Sequence, residues 1–207
     1  MIDAAPLRYL LSVPSGEEGP LRPLLCFLHG YDEAAPAEIV EGATRHGPLR
    51  PGSAAQARSD FIVVAPQLPR AGDLWHRYAD AVREIVDGVA AAAGADPSRA
   101  YLTGFSFGGN GVFDLALAQP GRWAALWAVD PTRVPRADVG RPAWLSIGSA
   151  ARHAAEAFVA ALGFQPAGAD PEGDRLYLDE RQDHVGSATR AYRDERIYRW
   201  LLSHRLP

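Results

Sequence analysis

The chain has 207 residues, of which 47% are hydrophobic and 22% are charged, with a net charge of −4 at pH 7. These values are typical of a globular protein with one core, so we expect residues 1–207 to form a single domain. The negative net charge gives no basic surface for nucleic acid, and no apolar run is long enough to span a membrane. All 21 basic residues are arginine, which excludes Schiff-base catalysis and a P-loop, because both need a lysine.

Apolar runs alternate along the chain with amphipathic stretches. Strands are predicted at residues 7–13, 23–28, 61–66, 101–103, 124–129, 142–147 and 175–178. Helices are predicted at residues 37–41, 78–93, 112–119, 151–162 and 191–203. Continuous apolar runs are typical of strands buried on both faces of a parallel sheet. The alternation therefore predicts an α/β fold, with a mostly parallel sheet of about seven strands and helices on both faces.

The segment from Gly104 to Gly108, with Ser106 at its centre, matches Gly-x-Ser-x-Gly and lies between a predicted strand and a predicted helix. On so sharp a turn the serine backbone is strained, and side chains in place of the glycines would collide with the strand or the helix. The turn aims the hydroxyl at solvent and leaves the N–H of Phe107 at a helix N-terminus, where it can stabilise an oxyanion. We interpret Ser106 as a nucleophile; the alternative is a glycine-rich turn without a chemical role.

Further reactive side chains follow the carboxyl ends of the predicted strands, which meet at one edge of a parallel sheet. The residues at or just beyond these ends are His29, Gln67, Ser106, Asp130 and His184. A serine nucleophile needs a base within hydrogen-bonding reach, and an acid orients that base. We therefore expect these residues to surround one active site.

Six histidines compete for the role of base. His184 follows the last predicted strand in a short polar loop that can fold back over the sheet. His76 and His204 lie on or beside helices and His153 opens one, which favours solvated positions. His29 ends a buried strand, where a histidine more often packs and holds the following loop. These positions predict His184 as the base.

Six short segments, spread over nearly the whole chain, carry a family resemblance: residues 27–30 (FLHG), 46–48 (HGP), 61–67 (FIVVAPQ), 96–109 (DPSRAYLTGFSFGG), 183–184 (DH) and 198–203 (YRWLLS). Together they resemble the α/β-hydrolase superfamily, and more closely its predicted peptidases, phospholipase/carboxylesterase-like esterases and dienelactone-hydrolase-like members. The resemblance implies an α/β-hydrolase fold and esterase-type acyl transfer, with Ser106 as nucleophile and His184 as base. It also implies an oxyanion hole formed by the N–H groups of Tyr31 and Phe107.

The acid of the triad is where the sequence departs from that superfamily. Relatives usually carry Gly-x-x-Asp after the next-to-last strand, whereas residues 148–153 read GSAARH. Asp130, which ends the preceding strand, is our preferred substitute, although Asp130 before Pro131 is also typical of a plain turn. Glu156, Asp183 or no acid at all are the alternatives that remain.

We expect His29, Gln67 and Trp75 to line a substrate pocket that is open and shallow, because the stretch between Asp130 and Arg141 is too short for a lid. No cap domain is expected in a chain of this length.

The expected function is that of a serine hydrolase acting on a small carboxylic ester through a Ser106 acyl-enzyme, without metal or cofactor. The alternative is a hydrolase fold with a degenerate triad, used for ligand binding or for non-hydrolytic chemistry on a small molecule. The single cysteine, Cys26, lies in an apolar run and is expected to be buried and inert. Without a signal-peptide pattern, we expect a cytoplasmic monomer or homodimer whose partner is its substrate, not nucleic acid or a membrane.

Overall fold

The computed structural model describes residues 7–15 and 21–207, and its central feature is an eight-stranded sheet. The strands are β1 (Tyr9–Ser12), β2 (Arg22–Leu28), β3 (Ile62–Pro66), β4 (Ala95–Phe105), β5 (Ala125–Val129), β6 (Ala143–Ile147), β7 (Gln165–Pro166) and β8 (Arg175–Asp179). Their order across the sheet is β1-β3-β2-β4-β5-β6-β8-β7. β1 is antiparallel to β3, and the other neighbouring strands are parallel. The predicted α/β class is confirmed.

The sheet has one strand more than the sequence predicts. The additional strand, β7, has only two residues, both exposed, so it produces no apolar run from which a strand could be predicted. It lies at the edge of the sheet beside β8, far along the order from the central strands β4 and β5.

Helices cover both faces of the sheet. In the described residues they are α1 (Ile39–Arg45), α2 (Gln56–Ser59), α3 (Ala79–Ala93), α4 (Phe107–Ala118), α5 (Ser149–Arg152), α6 (Ala155–Leu162), α7 (His184–Ala191) and α8 (Glu195–Leu202), with a 3₁₀ turn at Trp75–Tyr78 before α3. Successive residues of a strand face opposite sides, so β5 contributes Leu126 and Ala128 to one core and Trp127 and Val129 to the other. The first core includes residues of α3, α4 and α6, and the second includes residues of α2, α7 and α8.

The helix after Ser106 begins five residues earlier than predicted, at Phe107 instead of Val112. Its first turns contain Gly108, Gly109 and Gly111. Glycine has a low helix propensity, so this part of the helix is not predicted from the sequence. The glycines are needed because α4 packs directly on neighbouring backbone and aromatic groups. A Cβ on Gly108 would lie 1.9 Å from the carbonyl oxygen of Leu28, and one on Gly111 would lie 2.6 Å from the Trp75 ring.

One predicted helix is divided in the structure, and another begins later than predicted. The helix predicted at residues 151–162 consists of α5 and α6, and the closing helix predicted at residues 191–203 is preceded by a separate α7 and begins only at Glu195. Asp194 caps α8 by accepting the N–H of Arg196, and Asp183 caps α7 by accepting the N–H of Gly186. Aspartate favours the start of a helix, because its side chain accepts the N–H groups of the first turn. The expectation that His184 lies in a loop is therefore wrong, since His184 is the first residue of α7.

Candidate active site

Ser106 occupies the sharp turn between β4 and α4. Its backbone has a φ of 57° and a ψ of −114°, a conformation that is strained for a residue with a side chain. Space for the turn exists because its flanking residues are glycines: a Cβ on Gly104 would lie 2.3 Å from the carbonyl oxygen of Gly108. The local sequence therefore folds into this turn for the steric reason that the motif predicts.

Ser106, His184 and Asp130 meet at the carboxyl edge of the sheet. The Oγ atom of Ser106 lies 2.8 Å from Nε2 of His184. The Nδ1 atom of His184 lies 2.5 Å from Oδ2 of Asp130. The three residues come from the β4–α4 turn, the first turn of α7 and the end of β5, so three separate elements position one hydrogen-bonded chain.

Asp130, the preferred candidate for the acid, is held by N–H groups that follow β6. Its side chain is fully buried, and its backbone has a φ of 43°. Oδ1 accepts the N–H groups of Gly148 and Ala151, each at 2.8 Å, and Oδ2 accepts that of Ala150 at 3.3 Å. Gly148 and the first turn of α5, which follow β6, thus supply N–H donors to a carboxylate just beyond the neighbouring strand β5. Gly148 leaves room for this arrangement, since a Cβ there would lie 2.8 Å from Oδ2 of Asp130.

The other two candidate acids are used elsewhere. The side chain of Asp183 caps α7, and Glu156 is exposed on α6. Among the competing histidines, His153 and His76 are exposed. The Nδ1 atom of His204 lies 2.7 Å from the carbonyl oxygen of Trp200. Of the histidines and carboxylates weighed from the sequence, only His184 and Asp130 join Ser106 in one hydrogen-bonded chain, with His184 in the middle.

The hydrogen bonds define which nitrogen of His184 holds its proton. A carboxylate can only accept, so Nδ1–H donates to Asp130. Nε2 is then the lone-pair nitrogen, and the Ser106 hydroxyl donates to it. This tautomer can take a proton from serine, which is the requirement for a general base.

The two proposed oxyanion donors belong to segments that adjoin the nucleophile. Phe107 is the first residue of α4, so its N–H has no partner within the helix. Tyr31 follows Gly30, and a Cβ built on Gly30 would lie 3.5 Å from Cβ of Ser106. The rings of Tyr31 and Phe107 pack edge to face with their centres 5.4 Å apart. Tyr31 itself is 48% exposed, so an aromatic surface borders the serine.

His29, Gln67 and Trp75, which were predicted to line a substrate pocket, offer almost no exposed surface to a substrate. Each is at least 96% buried, and each holds the loop after β2. The Nδ1 atom of His29 lies 2.7 Å from the carbonyl oxygen of Gly30, and its Nε2 atom accepts the N–H of Leu68. Trp75 donates to the carbonyl oxygen of His29, and Gln67 donates to that of Glu33. Burial also lowers the pKa of His29 to about 4, so the ring is neutral.

A second buried polar pair lies beside the nucleophile, and the sequence gives no signal for it. Oε1 of Glu33 is 3.3 Å from Nε2 of His46. His46 was named only within the segment at residues 46–48 that carries the family resemblance, and Glu33 was not singled out. The pair is brought to the site by the loop after β2 and by the end of α1, two segments whose meeting depends on tertiary packing.

In the part of the chain that the structure describes, neither the cysteine thiol nor a cluster of metal-binding side chains offers a second reactive site. Cys26 is fully buried in β2, and burial raises the pKa of its thiol to about 12, which makes it unreactive. Within residues 7–15 and 21–207, no three histidine, cysteine or acidic side chains form a metal-binding group. No helix over the same residues is long and apolar enough to cross a bilayer.

Solved structures that share this fold are esterases and other serine hydrolases. The chain is similar to a thermostable esterase, with a TM-score of 0.72 and 21% identity over 95% of this chain and 59% of that one. It is similar to an S-formylglutathione hydrolase from Agrobacterium tumefaciens, with a TM-score of 0.62 and 16% identity over 97% and 90% of the two chains. A fluorophosphonate-binding serine hydrolase from Staphylococcus aureus gives a TM-score of 0.63 and 15% identity over 95% and 91%.

These similarities identify the α/β-hydrolase fold, and they confirm the fold that the sequence motifs imply. The chain spans only 59% of the length of the thermostable esterase. No protein-family model matches the chain, and no curated protein sequence matches it.

Proposed function

We propose that this chain is a serine hydrolase that cleaves small carboxylic esters through an acyl-enzyme on Ser106. The observation that carries the proposal is the hydrogen-bonded chain from Ser106 Oγ through His184 to Asp130, with distances of 2.8 and 2.5 Å. The esterases and serine hydrolases with the same fold support this class of reaction. The substrate and the acyl group are inferred only as a class.

In the proposed reaction, Ser106 Oγ attacks the ester carbonyl carbon while its proton moves to Nε2 of His184. The carbonyl oxygen becomes an oxyanion, which the N–H groups of Phe107 and Tyr31 stabilise. Collapse of this intermediate breaks the bond to the alcohol, which takes the proton from Nε2 as it leaves. Water then attacks the acyl-enzyme by the same route, and the acid and free Ser106 are released.

Asp130 contributes by fixing the imidazole. It holds the proton of His184 on Nδ1, and its negative charge stabilises the imidazolium that forms during attack. Because three N–H groups already bind the carboxylate, it cannot turn away when His184 becomes charged. This geometry supports the hydrolase proposal over a degenerate triad, because Asp130 offers an acid where the position after β6 has none.

A small substrate is favoured by the openness of the site. Residues 131–142, which connect β5 to β6, contain neither a helix nor a strand, so they offer no folded lid. The exposed ring of Tyr31 and the ring of Phe107 give an apolar border on which an acyl or alcohol group can pack.

Hydrolysis of p-nitrophenyl acetate tests the proposal. We expect the parent to hydrolyse this ester and Ser106→Ala to lower kcat by several orders of magnitude, because triad residues act as a unit. Ser98→Ala, which changes a serine at the opposite end of β4, is the matched control and should keep the parent rate. Equal activity of the parent and Ser106→Ala would favour the alternative, in which the fold serves ligand binding or non-hydrolytic chemistry.

A further inference from the structure

Glu33 and His46 form a buried polar pair that the proposed reaction does not use. Glu33 is 4% exposed. Its Oε1 atom lies 3.3 Å from Nε2 of His46, whose side chain is 12% exposed. Among the described residues, Oε2 of Glu33 and Nδ1 of His46 have no hydrogen-bond partner. A buried carboxyl group with an unpaired oxygen is costly, so its place in the fold needs a reason.

The pair lies directly against the nucleophile and the oxyanion loop. A Cβ built on Gly30 would lie 2.8 Å from Oε2 of Glu33 and 3.5 Å from Cβ of Ser106. The carboxyl group therefore packs against the peptide that carries the proposed Tyr31 donor. On the other side, the rings of His46 and His184 both pack on Phe105, with centres 4.9 and 4.6 Å from it.

The main chain of Glu33 is fixed as firmly as its side chain. Its carbonyl oxygen accepts Nε2–H of Gln67 at 2.9 Å, and a Cβ on Gly42 of α1 would lie 2.6 Å from that same oxygen. Its carboxyl group consequently has little freedom to move away from Gly30. Whatever charge it holds acts on the oxyanion loop.

Burial favours the uncharged forms of Glu33 and His46. Burial raises the pKa of Glu33 and Asp32 adds to this rise, whereas Arg45 at the end of α1 and hydrogen bonds from the backbone of Glu33 and Gly30 oppose it. Burial, together with Arg45, Arg50 and His184, lowers the pKa of His46 to about 4. His29 beneath the same loop is neutral. Burial therefore disfavours charge on both members of the pair.

We infer that Glu33 is a positioning residue whose uncharged side chain, paired with His46, holds the Gly30–Tyr31 peptide in place for the oxyanion. The inference rests on the proposed function. An ionised Glu33 would place a negative charge beside the oxyanion that forms on Ser106 attack, and like charges at this range oppose each other strongly in a buried site. Ionisation of Glu33 therefore lowers kcat.

The pH dependence of kcat for p-nitrophenyl acetate tests this role with Glu33→Gln, a neutral side chain of the same size. We expect the ratio of its kcat to that of the parent to rise by about tenfold between pH 5 and pH 9, because only the parent acquires the opposing charge. Glu33→Ala should lower kcat at every pH and change KM less than threefold, because the Tyr31 peptide loses its support. Glu38→Gln, an exposed glutamate of the same loop, should follow the parent throughout.

Two results would overturn the inference while leaving the hydrolase proposal intact, provided that the parent hydrolyses the ester. In one, Glu33→Gln matches the parent from pH 5 to pH 9, so the charge is not felt. In the other, Glu33→Gln lies below the parent by the same factor at every pH, so the carboxylate itself is required. An inactive parent would instead contradict the proposed function.

Discussion

At the scale of single residues, the conformation of Asp130 is what allows the proposed triad to be completed from an unusual position. It ends β5 in a left-handed conformation, with a φ of 43°, that aspartate tolerates better than most residues. In that conformation its carboxylate accepts N–H groups from the loop after β6 and lies beside His184. The neighbouring strand can therefore supply the acid when the usual position has none.

Asp130→Asn should lower kcat for p-nitrophenyl acetate by about four orders of magnitude. The amide nitrogen cannot accept Nδ1–H of His184, so the imidazole turns to the tautomer that cannot take the serine proton. The melting temperature should change little, because the amide oxygen can keep the hydrogen bonds to Gly148 and Ala151.

Glu156→Gln is the control for that change. Because Glu156 is exposed on α6, this substitution should leave kcat unchanged. A kcat for Asp130→Asn within a few-fold of the parent would mean that Ser106 and His184 act as a dyad.

Sequence reasoning found the residues of the site whose position follows from local rules. The glycine pattern around Ser106 and the strand-end positions of Asp130 and His184 were enough to expect them together. His29, Gln67 and Trp75 share strand-end or nearby positions, yet they are buried and hold a loop. The sequence could not distinguish these cases, because burial is decided by packing between distant segments.

At the scale of elements, the packing of α4 on β2 depends on backbone passing close to backbone. Gly108→Ala should destabilise the protein by about 3 kcal/mol, because its Cβ would overlap the carbonyl oxygen of Leu28 in β2. Gly88→Ala is the matched change in α3, where nothing lies within 4 Å of a Cβ, and it should stabilise by about 0.5–1 kcal/mol. Urea unfolding of both variants measures the difference. A similar loss in both would show that the α4 glycine is not needed for close packing.

Element types were easier to predict than element ends. The apolar runs of β2, β3, β5 and β6 identify strands, because continuous hydrophobicity reflects burial on both faces. The start of α4 was missed, because its glycines are required by packing and oppose helix propensity. The division into α7 and α8 was missed, because it depends on the capping side chains of Asp183 and Asp194.

At the scale of the whole molecule, one buried carboxyl group outside the site should make stability depend on pH. Burial raises the pKa of Glu180 to about 7, against the opposing effects of Ser146, Arg190 and Arg196. The folded protein then holds this proton more tightly than the unfolded chain. Its free energy of unfolding therefore falls as pH rises from the ordinary glutamate range to about 7.

Glu180→Gln removes this titration. We expect the variant to gain about 1–3 kcal/mol relative to the parent between pH 4.5 and pH 8, measured by urea unfolding at both values. Glu172→Gln, an exposed change of the same charge, should show no such gain. A constant difference between Glu180→Gln and the parent at the two pH values would contradict the raised pKa.

The α/β architecture followed from the sequence because strands and helices alternate at βαβ spacing. The short edge strand β7 did not, because two residues give no pattern. The position of Glu33 against Gly30 could not be predicted either, since it requires the loop after β2 and the end of α1 to meet.

The central claim, that Ser106 is a covalent nucleophile activated by His184, is tested most directly by intact-mass measurement after incubation with a fluorophosphonate. The parent should gain the mass of a single adduct, and peptide mapping should locate it on Ser106, because only an activated serine displaces the fluoride. Ser106→Ala should remain unmodified under the same conditions. A parent that stays unlabelled, or an adduct located on another residue, would contradict the claim.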